Sequence, residues 1–103
     1  MSEYPIVATE DGITRQVIAD HPDLMIVAFR FDRAGLGGDV HHHPHVKVSY
    51  VQSGRFRYRL GDSECEMGPG DSLVIPSRLQ HGCVCVEPGA IIDSFTPRRD
   101  DFL

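Results

Sequence analysis

The sequence predicts an all-β domain, closed as a barrel or folded as a jelly-roll double sheet. Three observations carry this. Gly and Pro interrupt the chain about every ten residues, a spacing that suits short strands and tight turns. No stretch of about twelve residues or more shows a helical repeat of apolar positions. Arg55-Phe56-Arg57-Tyr58-Arg59-Leu60 alternates with a clean period of two, the signature of a strand with one face in the core. Many short strands in one small domain must protect their edges, and closure into a barrel or jelly roll does that.

The elements follow in order. After a polar start, Ile13 to Ala19 reads as a first strand, closed by Asp20-His21-Pro22-Asp23. Leu24 to Phe31 is apolar almost throughout and reads as a buried strand. Asp32-Arg33-Ala34-Gly35 turns the chain. Val46 to Gln52 alternates, with Val46, Val48 and Tyr50 on one side and Lys47, Ser49 and Val51 on the other. Ser53-Gly54 reads as a turn before Arg55–Leu60, whose arginines are expected in water; an anion-binding stripe is the functional alternative. Gly61-Asp62-Ser63 is a hairpin turn, Glu64 to Met67 a short return strand, and Gly68-Pro69-Gly70-Asp71 a turn into Ser72–Ile75. Pro76 to Gln80 is a loop. His81 to Val86 and Ala90 to Phe95 are two further strands, separated by a turn at Glu87-Pro88-Gly89.

Composition bounds the function. A chain of 103 residues makes one domain, and its 41% apolar and 24% charged residues suit a soluble globular one. The net charge of -5 argues against a nucleic-acid surface, which needs clustered Lys and Arg. No apolar run approaches the roughly 18 residues of a membrane span, and Met1–Pro5 lacks the basic and apolar regions of a signal peptide. Three cysteines (Cys65, Cys83, Cys85) imply no disulfide framework and fit a reducing cytoplasm. Cys83 and Cys85 share parity with His81 and read as interior residues. No serine triad is recognisable, and Gly35-Leu36-Gly37-Gly38 lacks the Lys-Ser/Thr of a phosphate loop.

The chemistry is concentrated in residues 35–47. Four of the six histidines fall within positions 41–45. On an extended segment His41 and His43 share one face, and two imidazoles at that spacing can grip one ion. His42 points the opposite way. His45 shares the ligand parity, but Pro44 disrupts the ladder, so it is a candidate for supporting a ligand rather than being one.

Two motifs then line up. The first is Gly35, five residues, His41-x-His43, three residues, Lys47, six residues and Gly54. The second is Gly70, five residues, Pro76, four residues and His81. This pattern resembles the cupin superfamily, with Arg78 and Cys85 at positions usually held by glycine and asparagine, and Lys47 where the carboxylate ligand stands. His43-Pro44-His45, Tyr50-Val51-x-Ser53-Gly54, His81-Gly82-Cys83-Val84-Cys85 and Asp93-x-Phe95-Thr96-Pro97-x-Arg99-x-Asp101-Phe102-Leu103 are similar to the KdgF-type pectin-degradation cupins. That subfamily opens the ring of 4,5-unsaturated uronates to a linear keto sugar acid.

The resemblance implies a single cupin-type β-barrel (double-stranded β-helix) over 1–103, with an N-terminal arm over 1–12 and a tail over 96–103 packed near the barrel mouth. It implies a divalent ion (Zn, Ni, Mn or Fe) held by His41, His43 and His81. Lys47 is an awkward fourth ligand. An ammonium about 4 Å from a dication is repelled by roughly 8 kcal/mol at an effective dielectric near 20. Lowering its pKa to about 7 costs roughly 4–5 kcal/mol. The expectation is a three-histidine site, with Lys47 turned toward an acid or a bound anion. By resemblance Asp93 is the acid/base, Phe95 an apolar wall and Arg99 a two-pronged clamp on the substrate carboxylate. On residue type alone Asp93 is a surface residue and Arg99 a solvated tail charge. The partner is then a small acidic sugar, and a homodimer formed through sheet edges is expected. Two alternatives stand beside ring opening: an Fe(II)-dependent three-histidine dioxygenase, and a non-catalytic module that holds a small acid.

Overall fold

The computed structural model describes residues 4–103; the first three residues of the expected N-terminal arm lie outside the described residues. The remainder of that arm contains a strand, β1 (Val7–Glu10). All four of its residues are exposed, so it carries no apolar alternation for a sequence reading to find; its backbone ladder with β2 holds it. β2 (Ile13–His21) and β3 (Leu24–Phe31) form a hairpin over Pro22-Asp23. Then come β4 (Val46–Leu60), β5 (Ser63–Met67), β6 (Ser72–Ile75) and β7 (His81–Thr96), and a single 3₁₀ turn, η1 (Asp100–Phe102), in the tail. Every pairing is antiparallel. The sheet runs β1-β2-β3-β7-β4-β5, with β6 on the first half of β4 where β5 does not reach.

Two turns expected from sequence are not turns. Ser53-Gly54 and Glu87-Pro88-Gly89 face each other inside one continuous β4–β7 ladder. The register shifts there three times, between Val51 and Phe56, so the paired strands bend instead of ending. Glycine makes this possible. Gly54 sits at φ +77, and a Cβ on it would come within 2.5 Å of the Glu87 and Pro88 carbonyl oxygens; one on Gly89 would run into the Ser53 carbonyl oxygen. The shift also switches parity: Val51 faces inward, and so do Phe56 and Tyr58.

Before the bend, β4 inverts the usual pattern. Lys47 and Ser49 are buried, while Val46, Val48 and Tyr50 are exposed. After the bend the pattern is ordinary: Phe56 and Tyr58 are buried, and Arg55 and Arg57 pair with Glu66 on the outer face. The arginine stripe is therefore the solvated side of a strand.

The core has two clusters. One gathers Ile13, Phe31, Val51, Phe56, Tyr58, Met67, Cys85 and Ile91. The other gathers Val17, Met25, Val27 and Phe95, with Phe29 and Phe102 packed against it. The tail closes over this second cluster. Phe102 meets Phe29 and Phe95 edge-on, Arg15 and Arg99 lie 4.3 Å above its ring, and Arg98 bridges to Asp20. A cavity of about 280 Å³ opens beside both clusters. Among the described residues no helix is long and apolar enough to cross a membrane.

Candidate functional site

The cavity is lined by His41, Lys47, His81, Asp93, Phe95 and Arg99, together with Tyr58, Cys83, Phe102 and further residues both apolar and polar, the acidic Glu10 and Asp39 among them. The β4–β7 register explains much of this. Ser49 stands directly opposite Asp93, and Lys47 opposite Phe95. Side chains of directly opposed residues on one face are neighbours, so these four meet on the inner surface.

The histidines arrive from two elements. The segment holding His41 and His43 is not a ladder strand: it touches β7 through isolated bridges, Gly37 with Val84 and His41 with His81. The His41–His81 bridge is reciprocal, with each amide donating to the other's carbonyl at 2.8–2.9 Å. This brings the two rings to 4.4 Å between centroids, with the His43 ring 4.8 Å from that of His81. One nitrogen from each of His41, His43 and His81 lies within 4.8 Å of the others. His42 is exposed, in line with its opposite direction.

The hydrogen bonds decide which nitrogen is offered. A carbonyl can only accept, so each bonded Nδ1 carries the proton. His81 Nδ1 donates to the Leu79 carbonyl at 2.8 Å, and His43 Nδ1 to the His45 carbonyl at 3.1 Å. His41 Nδ1 lies 3.4 Å from the Asp39 carbonyl. Nε2 is then the bare lone pair on each ring, and those of His43 and His81 are buried without a partner among the described residues. Two buried, unpartnered acceptors aimed at one point fit a metal ion, whose ligating histidines are typically oriented in this way through the other ring nitrogen. Burial holds His43 and His81 at about 4, below the ordinary imidazole value, with cationic Arg99 and Lys47 also opposing protonation at His43 and Lys47 at His81. Burial also lowers His41. All three are neutral at pH 7, the form a metal requires.

His45 lies outside the converging trio. Its ring donates from Nε2 to the Arg98 carbonyl at 3.2 Å, tying the histidine segment to the tail. Its contribution to the trio is its backbone carbonyl, which orients His43.

Lys47 turns to an acid. Its Nζ lies 3.5 Å from Asp93 Oδ2, and the residues are only 8% and 2% exposed. Removing either partner of a buried pair leaves an uncompensated charge, at a cost of about 3–5 kcal/mol. Asp93 Oδ1 accepts from Ser49 Oγ at 2.6 Å, and Ser49 Oγ is 2.5 Å from the Tyr58 hydroxyl. Burial raises the Tyr58 hydroxyl well above its ordinary value and pushes the Cys83 thiol up to about 12, with Asp93 adding to both; Cys83 is no nucleophile here. Cys85 is a buried core residue.

Arg99 is held more tightly than a free clamp. Asp101 accepts from its Nε at 3.0 Å and its Nη2 at 2.8 Å, and the guanidinium lies 5.3 Å from the Phe95 ring and 4.3 Å from that of Phe102. One edge of the fork is therefore taken, leaving the Nη1 side for an anion. In return Arg99 lowers the Asp101 carboxyl below its usual range. Sequence reasoning assigned no part to Ser49, Tyr58 or Asp101. Ser49 was accessible through its shared parity with Lys47; the other two needed the fold.

The family model described as Cupin domain matches residues 29–95. The chain belongs to the cupin family. Within it, this cupin is 33% identical over 102 residues to the pectin degradation protein KdgF of Dickeya dadantii (strain 3937), covering 98% of this chain and 93% of that protein. It superposes on KdgF from Halomonas sp. with a TM-score of 0.91 at 39% identity, covering 100% and 99% of the two chains. An RmlC-like cupin from Shewanella frigidimarina gives a TM-score of 0.91 at 37% identity, over 97% and 89%. The chain is thus a cupin of the KdgF type, and the jelly-roll barrel expected from sequence is its fold.

Two outcomes test the site. First, the unfolded chain binds protons at histidine near pH 6.5 whereas His43 and His81 in the folded protein wait until about pH 4. Between those values the unfolded state holds more protons, so stability falls as pH falls. The melting temperature of metal-free protein should drop between pH 7 and pH 5, where most carboxylates are still ionised; a flat profile contradicts the neutral, buried trio. Second, His81→Ala should abolish binding of Zn, Ni, Mn and Fe(II) in competition titrations, whereas Lys47→Gln should tighten it by about tenfold or more by removing a neighbouring ammonium. Unchanged affinity in both variants would dismiss the three-histidine centre.

Proposed function

We propose that this cupin opens the ring of a 4,5-unsaturated uronate to the linear keto sugar acid, as a step in pectin or alginate breakdown. One observation carries the reading: His41, His81, Asp93, Phe95 and Arg99 line one cavity of about 280 Å³, and a ring nitrogen of His43 lies within 4.8 Å of those of His41 and His81. That volume lies near the lower end of small-molecule pockets, about 300–1,000 Å³, and suits a single sugar acid better than a polymer. The kinship with a pectin degradation protein agrees with it.

His41, His43 and His81 would hold a divalent ion, which would supply Lewis acidity toward a substrate oxygen. The chain's own residues do the rest. Arg99 offers its Nη1 edge to the carboxylate, and Phe95 walls the sugar against water. Asp93 takes the proton from the anomeric hydroxyl. The electron pair of that O–H bond becomes the second bond of the new C1 carbonyl, and the bond from C1 to the ring oxygen breaks. The ring oxygen leaves with its electron pair on an enol carbon and receives the proton back. The enol then takes a proton at C4 and releases one from oxygen to become the ketone. No oxidant or co-reactant is consumed. A positioned carboxylate contributes about 10²–10⁴-fold in such proton transfers.

The pairing of Lys47 with Asp93 also favours a second reading, a module that holds a small acid without converting it. The two readings separate in one assay. Metal-loaded wild type should speed the loss of the unsaturated uronate's ultraviolet absorbance over the spontaneous rate, and Asp93→Asn should reduce that effect at least about 100-fold. Saturable binding with no acceleration supports the binding module instead, and oxygen uptake with small thiols or diketones would mark a dioxygenase.

We further propose that the protein is a cytoplasmic homodimer. Its three cysteines are free, which suits a reducing compartment. Val48 and Val74 sit opposite each other on the outer face of β4 and β6, flanked by exposed Val46 and Tyr50. Among the described residues β6 pairs with β4 alone, leaving its far edge for a second copy. Sedimentation equilibrium should return twice the chain mass, and Val48→Asp should return it to one; a wild-type monomer ends this proposal.

A further inference from the structure

Asp93 has two oxygens in unlike surroundings. Oδ1 accepts a short hydrogen bond from Ser49, at 2.6 Å. Oδ2 has Lys47 Nζ at 3.5 Å, too long for a strong hydrogen bond. Ser49 is wholly buried and Tyr58 only 1% exposed, so water does not compete for either hydroxyl. Each hydroxyl carries a single proton. An ionised carboxylate can only accept, so Ser49 must give its proton to Asp93 Oδ1. The 2.5 Å contact between Ser49 Oγ and the Tyr58 hydroxyl then has one possible direction, with Tyr58 donating. The chain is polarised from Tyr58 through Ser49 to Asp93, and successive hydrogen bonds of one direction strengthen each other.

We propose that Ser49, backed by Tyr58, is the positioning residue for Asp93, committing Oδ1 to the fold so that Oδ2 alone meets the substrate hydroxyl. This rests on the ring-opening reading above. Ser49 does not line the cavity, so its part is indirect. It acts by holding the carboxylate plane, and a carboxylate free to rotate would offer either oxygen at the wrong angle. A misplacement of about 1 Å in such a group can cost about 100-fold in rate. Lys47 accompanies Oδ2 as its counter-charge without replacing the hydrogen bond on Oδ1.

The test uses full-length, metal-loaded protein and the ultraviolet assay. Ser49→Ala should lower kcat by about 10- to 100-fold with KM within about twofold. Affinity for a saturated uronic acid and metal stoichiometry should be unchanged, because neither depends on the angle of Asp93. Ser49→Thr, which keeps the hydroxyl, should recover most of the rate. Ser49→Ala on an Asp93→Asn background should cause no further loss, since residues acting through one group are not additive. Should Ser49→Ala fold poorly through the stranded Tyr58 hydroxyl, Ser49→Ala/Tyr58→Phe removes both partners together and should show the same loss. Wild-type kcat in either variant, a loss confined to KM, or losses that multiply with Asp93→Asn would each overturn the proposal. Wild type without activity overturns the ring-opening reading instead, which is a separate result.

Discussion

The structure depends on one antiparallel pairing, that of β4 with β7. It runs nearly the whole length of both strands, from Val46 with Thr96 to Leu60 with His81. One end of β7 presents Asp93 and Phe95 to Lys47 and Ser49; the other end delivers His81 to His41. Because side chains alternate along a strand, a slip of one residue would turn Asp93 out into solvent and separate it from both partners. The bend at Ser53-Gly54 and Gly89 lets one ladder serve two parts of the barrel. The near-contact of those backbones excludes a side chain at either glycine.

Burial gives the cavity its chemistry. A polar group removed from water must find a partner, and nearly every one here has done so. Lys47 has Asp93, Asp93 has Ser49, Ser49 has Tyr58, and Arg99 has Asp101. The exceptions are nitrogens: Nε2 of His43 and His81, and Nδ1 of His45. The first two converge with a nitrogen of His41, a geometry that could hold one metal ion. The inverted first half of β4 has the same origin. Lys47 and Ser49 can be inside because Asp93 faces them, and the apolar residues of alternate parity are left on the outer surface.

Much of this was legible in the chain. The motif spacing of His41, His43 and His81 located the trio, and the electrostatic cost of an ammonium beside a dication points Lys47 toward an acid or a bound anion, of which the fold supplies the acid, Asp93. Period two located most strands. It failed where its signal was absent or doubled. β1 is exposed on all four residues and left no pattern. Ser53-Gly54 and Glu87-Pro88-Gly89 carry turn chemistry, and only their facing positions show that the strands continue. His45 had the right parity, but its ring is claimed by the Arg98 carbonyl fifty-three positions away.

The sequence by itself determined the fold class and the shared face of His41 and His43, because those depend on residue type and short-range spacing, and its resemblance to the cupins pointed to His81, Asp93, Phe95 and Arg99. Tertiary structure alone decided how they meet. Which nitrogen each imidazole offers depends on carbonyls placed by the backbone. Which oxygen of Asp93 is free depends on a serine forty-four residues away. How much of Arg99 remains for an anion depends on the turn that brings Asp101 to its edge. Hydrogen-bond direction and angle are properties of assembled space, and no local pattern in a chain encodes them.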